Sequence, residues 1–174
     1  MENIIVKEAT LNDAQLIALL GRITFTETFG HYFRNLEDLQ NYYNNTFSVE
    51  KIKNSILNPN NVFWIAFYNQ LPVGYAKLKL NSTSNFIEHK KTSQLQKIYV
   101  LKDFLTKQIG RELQNCAIDR ALVYGSKQIW LSVLQSNIRA ISFYTKTGFT
   151  NIGTHNFQIG IEDFNFNVMQ KYLT

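Results

Sequence analysis

Cysteine is almost absent from this sequence: its 174 residues include one, Cys116. A single thiol cannot form a disulfide within the chain, which is typical of proteins from a reducing compartment. Cys116 lies between Leu113 and Ala117 in a helical pattern, so we interpret it as a buried, inert thiol. A nucleophilic cysteine would need a base beside it, and the sequence indicates none.

Long hydrophobic runs are missing too, because polar residues interrupt every apolar stretch before the roughly 20 residues that cross a membrane. Met1-Glu2-Asn3 carries an acid where a signal peptide carries Lys or Arg, and no apolar segment follows. We therefore expect a soluble, cytoplasmic protein without membrane partners. With 45% hydrophobic and 14% aromatic residues, the chain can form the core of one domain over residues 1–174.

The motifs of several enzyme classes are also lacking. His31, His89 and His155 lie far apart without metal-ligand spacing, so we expect no metal. There is neither a Gly-x-Ser-x-Gly elbow nor a Gly-x-x-x-x-Gly-Lys-Ser/Thr phosphate loop. The net charge of +5 is dispersed, without a basic run that contains aromatics, so we expect no nucleic-acid partner. An anionic cofactor would account for the charge equally well.

What the sequence does contain is an alternation of helical and strand patterns, which indicates an α/β or α+β fold. The predicted strands are 3–8, 62–68, 73–80, 94–100, 128–134, 149–159 and 164–172, and the predicted helices are 11–28, 36–45, 48–57, 110–124 and 137–146. Turns are predicted at 69–72 and around Glu162-Asp163, with Gly148 as a helix C-terminal cap.

The strand that ends in Lys97-Ile98-Tyr99-Val100 leads through a loop to a helix near Gly110. Unpaired N–H groups and a partial positive charge at a helix N-terminus suit a pyrophosphate, and Lys107 and Arg111 add full charges there. An ordinary strand–helix connection with a solvated lysine explains the same residues, so this segment alone leaves both interpretations open.

A second segment is far more specific. The run from Asn137 to Phe149 resembles the signature Asn-x-x-Ala-x-x-Phe-Tyr-x-Lys-x-Gly-Phe of the GNAT superfamily of N-acetyltransferases. The matching residues, all in register, are Asn137, Ala140, Phe143, Tyr144, Lys146, Gly148 and Phe149. Thr28-Phe29, Phe47-Ser48, Val73-Gly74-Tyr75, Ile98-Tyr99-Val100 and Thr154-His155-Asn156-Phe157 extend the resemblance, which is closest to bacterial Pai-type polyamine N-acetyltransferases.

This resemblance implies a GNAT fold, with a mixed, mostly antiparallel sheet of about seven strands flanked by helices. Two central strands splay apart, and acetyl-CoA lies in the cleft between them. The implied activity is transfer of the acetyl group by direct attack of a small primary amine, with a polyamine among the candidates. The resemblance also brings the expectation of a homodimer.

By the same resemblance, three segments would bind acetyl-CoA. Ile98, Tyr99 and Val100 would pair with the pantetheine arm, and a backbone N–H there would stabilise charge on the thioester oxygen. The loop Leu105, Thr106, Lys107, Gln108, Ile109 and Gly110 would wrap the pyrophosphate, next to Arg111. Asn137 would contact the pantetheine or simply cap its helix, while Arg139 and Lys146 are candidates for the 3′-phosphate or surface charges.

Tyr144 is the implied catalytic residue, since the matching tyrosine lies near the cofactor sulfur and can protonate the CoA thiolate; a core aromatic is the alternative. The family often has Glu as a base where this chain has Gln94 and Gln96. Glu27, Glu88, His155 and ordered water are the substitutes. The candidates for binding the acceptor are Glu27, Phe29, Gln94, Gln96 and His155.

The phosphate loop departs from the family pattern Gln/Arg-x-x-Gly-x-Gly/Ala, since Leu105 replaces the polar residue and Gln108 the first glycine. Glycine there permits unusual dihedral angles and a close approach to phosphate. The departures leave a second hypothesis: a degenerate GNAT domain that acts as a ligand sensor or interaction module with little catalysis.

Overall fold

The computed structural model describes residues 3–87 and 91–174, and its strands form one seven-stranded sheet in the order β1-β2-β3-β4-β5-β7-β6. The strands are β1 (Ile4–Glu8), β2 (Asn61–Tyr68), β3 (Leu71–Lys79), β4 (Thr92–Val100), β5 (Gln128–Leu134), β6 (Thr150–Ile159) and β7 (Glu162–Tyr172). Neighbouring strands are antiparallel except β4 and β5, which are parallel. This confirms the predicted mixed, mostly antiparallel sheet.

Five α-helices flank the sheet within the described residues. They are α1 (Ala14–Phe29), α2 (Leu36–Thr46), α3 (Val49–Leu57), α4 (Ile109–Tyr124) and α5 (Ile138–Lys146), with short 3-10 turns at Leu11–Asp13, Gly30–Tyr32 and Lys102–Phe104. Caps are present at a helix start and at a helix end: Ser48 Oγ accepts the N–H of Lys51 at 3.3 Å at the start of α3, and Gly148, the predicted C-terminal cap, follows α5 with a φ of +90°. None of these helices is long and apolar enough to span a membrane.

The two faces of the sheet carry separate hydrophobic clusters. Helices α4 and α5 cover one face, where Ile109 and Leu113 are fully buried beside Tyr144 and Phe149. Helices α1, α2 and α3 cover the other face with an aromatic cluster centred on Phe25, whose ring lies 4.5 Å from those of Phe29 and Tyr42. Aromatic pairs at this separation contribute about 0.5–1.5 kcal/mol each beyond their burial.

Two predicted turns were misplaced. The β2–β3 turn is only Asn69-Gln70, both with positive φ (47° and 70°), rather than 69–72. Positive φ at both central residues matches a two-residue hairpin turn, and Pro72 lies within β3 beside a register shift, where a missing N–H is tolerated. The β6–β7 turn is Gly160-Ile161 rather than Glu162-Asp163, because Ile159 pairs with Glu162.

Strands β4 and β5 pair at only one end. Thr92, Ser93 and Gln94 pair with Gln128, Ile129 and Trp130, after which each strand keeps only its outer partner. Strand β4 stays on β3 through Val100, and β5 stays on β7 through Leu134. The facing strand edges therefore diverge and open a cleft in the middle of the sheet.

Candidate active site

The cleft between β4 and β5 encloses about 660 Å³, within the range of small-molecule sites. Its walls are the edge of β4 from Leu95 to Val100 and the edge of β5 from Ser132 to Leu134. Helix α1 closes one side, and the N-terminal ends of α4 and α5 lie at the other. The backbone of β4 that no longer pairs with β5 can bind an extended ligand as a strand would.

The loop before α4 keeps the conformation that glycine would favour, although glycine is absent. Gln108 has a φ of +63°, in the left-handed region, and α4 begins at the next residue. The first N–H groups of a helix have no partner inside it, so they are available to an anion. Leu105, Gln108, Gly110 and Arg111 line the cleft at this end.

Positive side chains dominate the described lining of the cleft. Lys97, Lys102, Arg111 and Arg139 all contribute to it, whereas Glu27 is its only carboxylate among the described residues. Glu27 Oε2 accepts the backbone N–H of Lys102 at 3.0 Å and so joins α1 to the segment after β4. A polyanionic ligand fits this charge distribution, and a polycation does not.

Helix α5 contributes residues from the matched motif. Asn137 caps the helix, since its Oδ1 accepts the N–H of Ala140 at 3.1 Å, and it also lines the cleft. Its amide nitrogen can still donate to a ligand, so both roles proposed for it are compatible. Arg139 lines the cleft as well, whereas Lys146 is exposed outside it.

Tyr144 faces the cleft from α5 but is only 7% exposed. The rings of Phe143 and Phe149 pack against it at 5.2 and 5.6 Å. Burial raises the pKa of Tyr144 well above its usual value, so the phenol stays protonated and able to donate a hydrogen bond. Burial also raises the pKa of Tyr99, which lies on β4 and lines the same cleft.

A serine–histidine pair lies on the β5 side. Ser132 lines the cleft, and its Oγ is 2.9 Å from His155 Nε2 on β6. The imidazole stacks on Phe166, another lining residue, with ring centroids 5.3 Å apart and planes 10° apart. His155 thus contacts the site through Ser132, and histidine both takes and gives protons near neutral pH.

Most, but not all, of the residues predicted for the site line the cleft. Those that do are Ile98, Tyr99, Val100, Leu105, Gln108, Gly110, Arg111, Asn137, Arg139, Tyr144, Glu27, Phe29 and Gln96. The predicted residues that do not line the cleft are Thr106, Lys107, Ile109, Lys146, Gln94 and His155. The Ile109 side chain is fully buried in the core, and the Lys107 ammonium lies 5.4 Å from the Tyr68 ring. Glu88, a predicted base candidate, lies outside the described residues.

Sequence reasoning missed several lining residues, among them Lys97, Lys102, Ser132 and Phe166. The sequence predicts Lys97 only as a strand residue. Alternation along β4 nevertheless puts its side chain on the same face as that of Tyr99, a predicted site residue. Ser132 and Phe166 had no local signal, because their position follows from the pairing of β5 with β7.

Comparisons with known proteins agree with this geometry. Residues 25–149 match the model of the Acetyltransferase (GNAT) family. An uncharacterized N-acetyltransferase of Lactobacillus delbrueckii subsp. lactis is 24% identical over 160 residues, or 92% of each chain. The PaiA N-acetyltransferase of Thermoplasma acidophilum, solved with coenzyme A, has a TM-score of 0.76 at 22% identity, covering 98% of this chain and 99% of that one. A Salmonella typhimurium structure solved with its cofactor acetyl-CoA has a TM-score of 0.71 at 19% identity, covering 99% and 95%.

At these identities, the solved structures establish the fold alone. The family match is broader evidence, because it spans both cleft strands, the loop before α4 and the motif that ends at Phe149. The chain therefore belongs to the acetyltransferase (GNAT) family and is a GNAT-type N-acetyltransferase.

Proposed function

We propose that this enzyme acetylates a small primary amine by direct attack on acetyl-CoA bound in the β4–β5 cleft. The observation that carries the proposal is the combination of an unpaired β4 edge, a helix N-terminus and four of the motif residues around one cavity, namely Asn137, Ala140, Phe143 and Tyr144. Acetyl-CoA supplies the acetyl group as a thioester. No covalent acyl-enzyme is needed. Cys116, expected to be buried, is only half-buried on α4, and it does not line the cleft.

Residues of this chain can be matched to each part of acetyl-CoA, from the acetylated pantetheine arm to the 3′-phosphate. The β4 backbone around Ile98 and Val100 would pair with an extended amide-containing arm, and an N–H there would stabilise negative charge that develops on the thioester oxygen. The N-terminus of α4 with Arg111 would hold the pyrophosphate. Arg139 is the better candidate for the 3′-phosphate, since Lys146 lies outside the cleft.

Tyr144 would stabilise the leaving thiolate as a hydrogen-bond donor. A thiol has a pKa of about 8.5 and burial holds the pKa of Tyr144 far above that, so complete proton transfer from the phenol to sulfur is uphill. The hydrogen bond itself still lowers the energy of the charged leaving group. The proton that finally reaches sulfur would come from the attacking amine.

The amine must lose a proton, because a primary alkylamine has a pKa of about 10.4 and is almost fully protonated at neutral pH. We assign this step to Ser132 and His155: the hydroxyl faces the cleft and the imidazole lies behind it. Glu27 is the weaker candidate, since its carboxylate already accepts the Lys102 N–H.

The rival hypothesis, a degenerate domain with little catalysis, rested on the altered phosphate loop and the missing strand carboxylates. Gln108 adopts the left-handed conformation that a glycine at this position would favour, and His155 offers a base where Gln94 and Gln96 do not. Both observations favour catalysis.

Calorimetric titration with acetyl-CoA tests the proposal directly. We expect a Kd in the micromolar range or below, and much weaker binding of acetyl-pantetheine, because that fragment lacks the phosphates that α4 and Arg111 would hold. An amine panel with thiol release as the readout follows. If acetyl-CoA does not bind and no amine releases thiol, the domain is degenerate, and the binding and catalytic roles proposed for its residues are wrong.

Substituting Gln108→Gly should stabilise the protein and tighten acetyl-CoA binding. A left-handed residue with a Cβ costs about 1–2 kcal/mol, partly offset by the added freedom of glycine in the unfolded chain. We expect a net gain of about 0.5–1 kcal/mol, or roughly 2 °C in Tm, and severalfold tighter binding as the backbone becomes more accessible.

Gln70→Gly is the matched control, because Gln70 has a φ of +70° in the β2–β3 turn and does not line the cleft. It should give a similar gain in Tm and leave the Kd for acetyl-CoA unchanged. Weaker binding in Gln108→Gly would instead mean that the glutamine side chain contacts the ligand.

Replacing Tyr144 with Phe removes the hydrogen bond to the leaving thiolate. We expect kcat to fall by about 10- to 100-fold, which corresponds to the free energy of a hydrogen bond to a charged group, while the Kd for acetyl-CoA changes little. The control is Tyr172→Phe, which removes the hydroxyl of an exposed tyrosine at the end of β7. Full turnover in the Tyr144 variant would remove this residue from the mechanism.

His155→Gln keeps a side chain that can hydrogen-bond Ser132 but cannot take the proton. We expect kcat/KM to fall about 100-fold near neutral pH and to recover partly at high pH, where more of the amine is already neutral. Glu27→Gln, which retains an acceptor for the Lys102 N–H, should change the pH profile little. The reverse pattern would identify Glu27 as the base.

A further inference from the structure

A second, smaller cavity of about 280 Å³ adjoins the cleft on the side of the sheet that α1, α2 and α3 cover. Gln96 and Lys97 line both cavities, so the two meet at the middle of β4. Three of the lining residues are lysines: Lys97 on β4, Lys77 on β3 and the exposed Lys51 on α3. We call this space the lysine cavity.

Lys77 and Lys97 are direct cross-strand partners. Like charges opposite each other destabilise a sheet unless something compensates them. Within residues 3–87 and 91–174, no Asp or Glu lines the lysine cavity, and no ion pair includes these lysines. In this part of the chain the pair is therefore a local concentration of positive charge without an acidic partner.

Aromatic rings provide part of the compensation. The Lys97 ammonium lies 5.1 Å from the Phe47 ring centroid, and that of Lys77 lies 5.4 Å from Phe63. Burial lowers the pKa of both to about 8, with neighbouring lysines as the second cause, Lys79 for Lys77 and Lys77 for Lys97. The rings compensate the ammonium groups only in part, and no carboxylate among the described residues lines the cavity beside them.

The remaining lining suits a small anion. Thr46 and Ser55 contribute hydroxyl groups, and Gln96 contributes an amide. Ser55 Oγ accepts from Asn61 Nδ2 at 3.0 Å, so its own proton remains to be donated elsewhere. Ammonium, hydroxyl and amide donors together match the oxygens of a carboxylate or a phosphate.

The shape of β4 explains why this site meets the cleft. Lys77 pairs with Lys97, but the next residue, Leu78, pairs with Leu95, so Gln96 is the extra residue of a β-bulge. A bulge bends its strand and redirects side chains. Here it occurs just after Gln94, the last residue of β4 that pairs with β5.

We propose that the acceptor amine carries an anionic group, a carboxylate or a phosphate, which Lys97 and Lys77 bind in the lysine cavity while the amino group reaches the cleft. This inference rests on the acetyl-transfer function proposed for the cleft. It also runs against a polyamine, whose second ammonium would approach two lysines instead of carboxylates.

The proposal is tested on the wild-type enzyme with acceptors that share an amino group and differ only in the group at the opposite end of the carbon chain. At each length from two to six carbons, we would compare an ω-amino acid, an ω-aminoalkylphosphonate, an alkylamine and a diamine; γ-aminobutyrate, butylamine and putrescine are one set. We expect an anionic member to have the highest kcat/KM and the diamine the lowest. Comparison of the ω-amino acids with the ω-aminoalkylphosphonates shows whether a carboxylate or a phosphate-like group is preferred. A preference for diamines overturns the proposal.

Lys97→Gln should lower the ratio of kcat/KM for the preferred anionic acceptor to that for the matched alkylamine by about 10- to 100-fold. Lys77→Gln should lower it in the same direction. The control is Lys53→Gln, which removes the same charge from an exposed position on α3 outside the lysine cavity and should leave the ratio unchanged. An equal loss for both acceptors would mean that Lys97 is structural.

A measurement of acceptor binding without turnover distinguishes failure of this inference from failure of the proposed acetyl transfer. Ligand-observed NMR would measure γ-aminobutyrate and butylamine against the protein saturated with CoA, without any turnover. Selective binding of γ-aminobutyrate that Lys97→Gln abolishes supports the anion site even if no amine is acetylated. The same comparison is made for the other chain lengths, and equal or absent binding of the amino acid and its matched alkylamine at every length rejects the site even if the enzyme acetylates other amines.

Discussion

The separation of β4 from β5 is the constraint on which the rest of this site depends. Adjacent strands normally satisfy each other's backbone groups, and leaving an inner edge unpaired is costly unless a ligand or water takes the vacant hydrogen bonds. Here the two strands pair over Thr92–Gln94 alone and then diverge. The outer pairings, β3 with β4 and β5 with β7, continue along both walls of the cleft, so each diverging edge stays part of the sheet.

The bulge at Gln96 connects this backbone feature to the side chains. It lies where β4 departs from β5, and it sets which residues face α1, α2 and α3 and which face α4. Tyr99 and Lys97 consequently face α1, α2 and α3, while Ile98 and Val100 pack towards α4. One irregularity in one strand thus separates the surface that we propose for the donor from the surface that we propose for the acceptor.

Two local features at the cavities conflict with what stability alone would favour. Gln108 has a left-handed backbone where glycine would be unstrained, and Lys77 faces Lys97 across two strands. Such departures from consistent local preferences are typical of functional sites, where binding rather than folding selects the residue. The aromatic cluster around Phe25 and the buried face of α4 supply stability that tolerates them.

The sequence by itself determined the elements and the family. Periodicity located every strand and helix to within a few residues, and Asn137 to Phe149 identified the α5 segment with its capping glycine. These are local signals, since a cap, a helical stripe or a motif is complete within about fifteen residues. The misplaced turns show the limit, because Gly160-Ile161 became the turn only through the register of β6 with β7.

Only the tertiary structure decided which distant side chains meet. Ser132 and His155 are joined across β5 and β6, although β7 lies between those strands in the sheet. Lys77 and Lys97 meet because of a pairing register that a bulge shifts. Strand register and sheet order depend on the packing of the whole domain, and a slip of one residue would turn each side chain to the other face. The donor site that we propose could therefore be predicted from a motif, whereas the proposed acceptor site emerged only from the assembled sheet.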